Sequence, residues 1–319
     1  MAEDKKIGTA FRALLCVVVL SVSSVRADAQ RRELVPFGDF EQWTVRQIKE
    51  SDIIGGASRT LYVIAPTDTI RQNAAFDYSN TIWASSNAYA VVMGITKTSC
   101  SVTPDKGPDG LCARLESCFA SVKVAGVVDV KVFAGGSIFW GKMLEPIKGV
   151  SKPYSNMDWG IPFTGRPGAL VLDYKSVLPN TGKIVRGRKE VDGYDPEEIM
   201  LILQNRREDA DGRLHVKRVG TAAIRIERSS GKWVKDKVIP VIYGDATKDS
   251  SYRDYMGLTD FLYAVNSKGK CVPAPEEGWA EPGTPVTHAL LSISSGSCHG
   301  FDGAVGNILW VDNIRLEYE

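Results

Sequence analysis

Histidine is scarce in this chain: His215, His288 and His299 are the only three in 319 residues. None stands at the H-x-x-x-H or H-E-x-x-H spacing that would set ligands for zinc on one helix face. The chain also lacks a G-x-S-x-G elbow, a P-loop and a dinucleotide-binding glycine fingerprint, so the common nucleophile and phosphate motifs are excluded. An excess of one charge is missing too. The totals are 39 basic and 38 acidic residues, and setting aside four and three of them in 1–29 leaves 35 of each. That balance offers no basic stripe for nucleic acid. No helical period is sustained, no repeat recurs at fixed spacing, and no apolar run after residue 30 is long enough to span a bilayer.

The first 29 residues form a unit of their own. Lys5, Lys6 and Arg12 precede an apolar run over 13–20, and Ala27-Asp28-Ala29 is an A-x-A cleavage pattern. The run is too short for a membrane helix, so a cleaved export signal is expected over 1–29 and a single domain over 30–319. Cys100, Cys112, Cys118, Cys271 and Cys298 lie beyond it, an odd number that leaves at least one thiol free even where disulfides are allowed. Cys112 and Cys118 flank a strand pattern that separates them beyond disulfide reach, whereas Cys100 could meet either across the intervening turn.

What the chain does have is strand pattern. The stretches 121–132, 169–175, 222–228, 233–243 and 287–294 are rich in β-branched or alternating residues. Residues 199–203 are apolar on both faces, as in a strand covered on two sides. Turn clusters at 179–182, 209–212 and 229–231 separate the runs. Short helical turns are expected only at 196–199 and 259–265, and 273–285 reads as an ordered surface loop. The sum is an all-β chain, a sandwich or jelly roll.

The two ends match. Gly38-Asp39-Phe40-Glu41-Gln42-Trp43 reads as extended. Residues 306–318 alternate, with Ile308, Trp310, Ile314, Leu316 and Tyr318 on one face, and Trp43 and Trp310 are expected in the core. Asp312 falls on that apolar face, where a lone carboxylate must be hydrogen-bonded, paired or metal-bound. The two ends are expected side by side, with Asp39, Glu41 and Asp312 at the seam.

Trp159-Gly160-Ile161-Pro162-Phe163-Thr164-Gly165-Arg166-Pro167 runs into the strand at 169–175. Together with 38–43, Trp83-Ala84-Ser85-Ser86-Asn87, the 110–116 segment and the 303–318 ending, in that order, it resembles the putative carbohydrate metabolism domain family. The resemblance covers the chain from about residue 34 onward. It implies a jelly-roll-like β-sandwich similar to carbohydrate-binding modules, exported to the periplasm or outer surface of a glycan-using Gram-negative bacterium, with glycan-uptake proteins of the outer membrane as candidate partners. The loop from Ser297 to Asn307 departs from the family's usual serine-rich pattern.

Sugar rings present C–H faces that stack on aromatic rings while polar groups hold their hydroxyls. Trp83, Trp159 and Trp279, in loop-like surroundings, and Arg166, a planar donor fork, are the candidate carbohydrate-binding residues. The alternative is that the tryptophans cap the core and Arg166 pins a turn through backbone carbonyls. The resemblance suggests Glu41 and Asp312 as ligands of one structural calcium, for which carboxylate oxygen is suited. Against that stands an Asp312 that only accepts backbone N–H bonds. The functional reading is non-catalytic glycan binding or capture. Two rivals stand beside it: a glycan hydrolase using Asp245, Asp249, Asp254 or Asp260, and an adhesive surface protein whose aromatic loops contact another protein. Adjacent Cys298 and His299 would point apart on a strand, which argues against a thiolate–imidazolium pair.

Overall fold

The computed structural model describes residues 31–124, 128–149, 152–187 and 189–318. The expected export signal lies outside them, as do residues 125–127 in the middle of the strand expected over 121–132. Around that gap the chain forms two antiparallel strands, Cys118–Val124 and Val128–Ala134, paired as a hairpin.

Two sheets face each other, and the chain is an all-β sandwich. One has the order Val234–Pro240, Ala169–Val177, Ile308–Tyr318, Leu111–Glu116, Val102–Lys106, with Arg31–Leu34 also on Ile308–Tyr318. The other is built on Met157–Trp159, Ser137–Met143, His288–Ser294, Glu197–Glu208, Leu214–Ile226 and Ile242–Tyr243, with three short strands at its margins. Alternation explains the core between them. Leu170 and Leu172, Leu309 and Val311, and Ile314 and Leu316 meet Ile199, Leu201, Leu203, Leu291 and Ile293, all buried.

The second sheet is also covered on its outer face. Phe139, Met200, Ile202 and Leu290 pack there under Met157, Trp159, Met256 and Leu262. This is why the strand Glu197–Glu208 reads as apolar on both sides. The helical turn expected at 196–199 does not form: the strand begins at Glu197, and 197–199 complete this central pairing. At 259–265 no helix forms either; Tyr263–Val265 is a strand paired with Cys271–Pro273.

The two ends do lie together, in a different way from the expected one. Arg31–Leu34 pairs with Tyr318 through Arg315, and the 38–42 segment is a turn rather than a strand, tied to Ile314 through Gly38. The last strand also changes parity. Val171 pairs with Arg315 but Asp173 pairs with Asp312, so a bulge intervenes, with Asn313 at φ 53°. A bulge re-aims side chains by one position. Leu309 and Val311 therefore face the core before it, and Ile314 and Leu316 after it. Trp310 is turned out of the core: its indole N–H donates to Asp105 at 2.8 Å, between the cations of Arg114 and Lys175. Trp43 is buried as expected.

Candidate functional site: a two-lobed cleft on the outer sheet face

Along Glu197–Glu208 side chains alternate between the two faces. Glu197 turns into the sandwich beside Ile199, and Glu198 turns outward with Met200 and Ile202. Outward-facing neighbours across the pairing, Arg225, Ser292 and Ser294, extend this floor. Glu198 accepts from Arg225 Nε at 2.7 Å, and the Arg225 guanidinium lies 4.8 Å from the Tyr255 ring centre. Burial holds the Glu198 carboxyl above the usual carboxylate range, with the Arg225 bond opposing the shift.

Three loops build walls on that floor. The turn Pro153–Asn156 brings Tyr154, the segment after Asp254–Met256 brings Phe261, and the loop following Ser294 brings His299. Tyr154 and Phe261 have ring centres 4.8 Å apart, and Phe261 and His299 4.6 Å. Gly300 N–H donates to the Tyr154 hydroxyl at 2.8 Å. Buried Asp195 fastens the third loop: it accepts N–H bonds from Ser297 and Cys298 on one oxygen and from Ala304 on the other, at 2.7–2.9 Å. Cys298 and His299 thus sit in a loop rather than on a strand, and burial with the neighbouring Asp195 carboxylate pushes the Cys298 thiol up to about 12.

The three rings stand where two adjacent lobes meet. One, of about 350 Å³, is mostly carbon-lined; the other, of about 470 Å³, carries Glu198, Arg225, Tyr255, Asp254 and Asp260. Tyr154, Trp159, Glu198, Phe261, Ser292 and His299 line both. A groove with stacked rings, one ion pair and carboxylates at its rim can hold a ring compound by its faces and its hydroxyls.

Of the four residues expected to bind carbohydrate, only Trp159 lines this cleft, where it is buried against Phe139 at 4.4 Å. Trp83 is fully enclosed in the main core, 6.0 Å from Trp140, with its indole N–H donating to Pro36 O. It lies on the opposite face of the sheet from Trp159. Arg166 donates to the carbonyls of Thr284 and Pro282 at 3.0 and 2.6 Å and lies over Tyr243. Trp279 stacks against the buried guanidinium of Arg218. The structure brings together Tyr154, Phe261, His299, Glu198 and Arg225 instead. Within 245–260, Asp245 and Asp249 are engaged by their own turns, bonded to Thr247 and Ser251, whereas Asp254 and Asp260 reach the cleft.

At the seam, Asp312 is buried and its carboxyl is raised to about 7, chiefly by burial, with the Asp173, Glu41 and Asp109 carboxylates adding to the shift. It accepts from Asn313 N–H at 2.7 Å, and Glu41 accepts from Leu111 N–H at 2.8 Å. These hard oxygens suit calcium in kind. Among the described residues, no three or more His, Cys, Asp or Glu side chains are grouped to hold a metal by themselves. All five described cysteines are free thiols.

No curated protein matches the chain. Among solved structures, a putative glycoside hydrolase from Bacteroides thetaiotaomicron is 18% identical, with 83% of this chain and 76% of that one covered at a TM-score of 0.48. A putative glycoside hydrolase from Bacteroides vulgatus is 15% identical, covering 90% and 94% at 0.49. A putative sugar binding protein from Bacteroides thetaiotaomicron is 10% identical, covering 69% and 83% at 0.25. The sequence profile of the putative carbohydrate metabolism domain matches residues 40–256, more than half of the chain. The chain belongs to the putative carbohydrate metabolism domain family.

Proposed function

We propose that this is an exported protein that binds a glycan in the cleft on the outer face of the larger sheet, without catalysing a reaction. The observation that carries the reading is the convergence of three ring side chains, Tyr154, Phe261 and His299, beside the Glu198–Arg225 pair in one open groove. Ring faces supply stacking, and the ion pair supplies both donors and acceptors for hydroxyls. Family membership supports a carbohydrate ligand. Export rests on residues 1–29, and the processed chain is expected to begin near residue 30 by mass spectrometry. Glycan uptake proteins of the outer membrane are candidate partners in the same proposal.

The test is a glycan array probed with wild type, Tyr154→Ala and Phe261→Ala, each checked for folding. Binding lost in both variants supports the reading; binding to no glycan, or binding indifferent to both changes, overturns it. One observation favours a second reading: a carboxyl of raised affinity for its proton, Glu198, shares the lobe with Asp254 and Asp260. A glycosidase needs such a pair. Release of reducing ends from a polysaccharide, abolished by Glu198→Gln, would replace capture with hydrolysis.

Glu41 and Asp312 are proposed to hold a structural calcium, completed by backbone oxygens. Wild type is expected to melt lower in chelator and to recover with calcium, and Asp312→Asn to ignore both. A melting temperature indifferent to calcium would leave Asp312 a buried carboxyl alone.

A further inference from the structure

The two lobes of the cleft differ in chemistry. The smaller is walled by Ala88, Ala90, Ala134, Met143, Ile147 and Met157. Several polar side chains at its margin are already engaged. Lys97 Nζ lies 3.1 Å from Glu50, Thr98 Oγ1 is 2.8 Å from the same carboxylate, and Ser86 Oγ is 2.7 Å from Ser101 Oγ. Asp195 is engaged by three backbone N–H groups of its loop. Ser292 and Ser294 also line the lobe, but carbon predominates, so a bare sugar ring placed there would bury most of its hydroxyls without compensating hydrogen bonds, which is unfavourable. The volume, about 350 Å³, is within the range of small-molecule sites, so the lobe is more than a packing gap. It shares Glu198 and Ser292, with the Tyr154, Phe261 and His299 rings, as lining with the polar lobe.

We infer that the ligand is a glycan carrying an apolar substituent, an aryl or an alkyl chain, with sugar in the polar lobe and substituent in the carbon-lined one. This rests on the reading of the cleft as a glycan site and adds a ligand class to it. A ligand spanning both lobes would meet the shared Tyr154, Phe261 and His299 rings, whose faces accept either a C–H face or an apolar linker. Ala88 and Ala90 matter because they are small: they are alternate residues of the strand Ala88–Val92 that line the lobe, and larger side chains at those two positions would fill it.

The experiment is calorimetric titration of the whole chain with matched methyl, 4-nitrophenyl and n-octyl β-glycosides of glucose, galactose, mannose and xylose, the octyl compounds below micelle formation. For at least one sugar, the aryl or the octyl glycoside is expected to bind at least about tenfold tighter than the methyl one. Whichever gains identifies the substituent as aromatic or aliphatic. In Ala90→Trp, and independently in Ala88→Leu should the first fail to fold, that ratio is expected to fall toward one. Equal affinities for all three glycosides overturn the inference, as does a preference that survives in a folded lobe variant. Glycan-array binding lost in Tyr154→Ala, with no glycoside preference, overturns the apolar lobe and leaves the glycan reading standing. No binding to array or glycosides overturns both.

Discussion

Glu197 is wholly buried, and the Ser176 hydroxyl, itself buried, is the one side-chain hydrogen-bond partner near its carboxyl. Burial pushes it up to about 9 from an ordinary 4.5, against the Ser176 hydroxyl and with the Asp195 carboxylate adding. The folded chain therefore holds a proton there that the unfolded chain releases. By linkage its contribution to stability is full below about pH 4.5 and is lost as pH rises through about 9. Glu197→Gln should remove that slope. Urea unfolding of both proteins at pH 5 and pH 8.5 should show the variant gaining on wild type at the higher pH by at least about 1 kcal/mol. Equal slopes would show that Glu197 ionises freely in the fold. Arg218 and Glu276 are the opposite case, a fully buried pair in contact through two hydrogen bonds, with Gln204 and Thr259 completing the carboxylate's partners. Arg218→Met leaves Glu276 buried without its cation and is expected to cost about 3–5 kcal/mol in the same assay. A loss below about 1 kcal/mol would mean that Glu276 escapes by protonation.

Two elements set what the cleft and the seam can do. The bulge in Ile308–Tyr318 needs Asn313 in the left-handed region, where a short polar side chain is tolerated and a β-branched one is strained. Asn313→Val should destabilise the fold by about 1–2 kcal/mol in thermal unfolding; a neutral result would mean the bulge relocates. Strict alternation across 306–318 puts Trp310 on the core face, because period two has no symbol for an inserted residue. The loop after Ser294 depends on Asp195 in a similar way. Asp195→Ala deletes the acceptor of three N–H bonds, so amide exchange over 297–304 should accelerate while the sheets stay protected. Glycan affinity should fall with it, since His299 rides on that loop. Unchanged exchange would show the loop held by its aromatic contacts alone.

At the scale of the molecule, one core joins the two sheets, and the first described strand pairs with the last. A chain closed on itself this way is expected to unfold in a single cooperative transition by calorimetry, with no separable unit inside 30–319; two resolved transitions would overturn the single-domain reading. Strand character, the doubly apolar strand at 199–203 and the all-β class were readable from residue order, because alternation and side-chain branching act within a few residues. The cleft was not. Tyr154, Glu198, Arg225, Phe261 and His299 come from five separate stretches, and nothing local marks which loops will converge. Glu197 and Glu198 are alike as neighbours in sequence; pleating sends one into the core as a protonated acid and the other to the cleft as an ion pair. Trp83 and Trp159 were equally alike as loop tryptophans, and the sheet put them on opposite faces. Residue order by itself determined the strands and the family. Tertiary packing decided which side chains meet solvent together, because exposure belongs to the assembled sheets and to no segment alone.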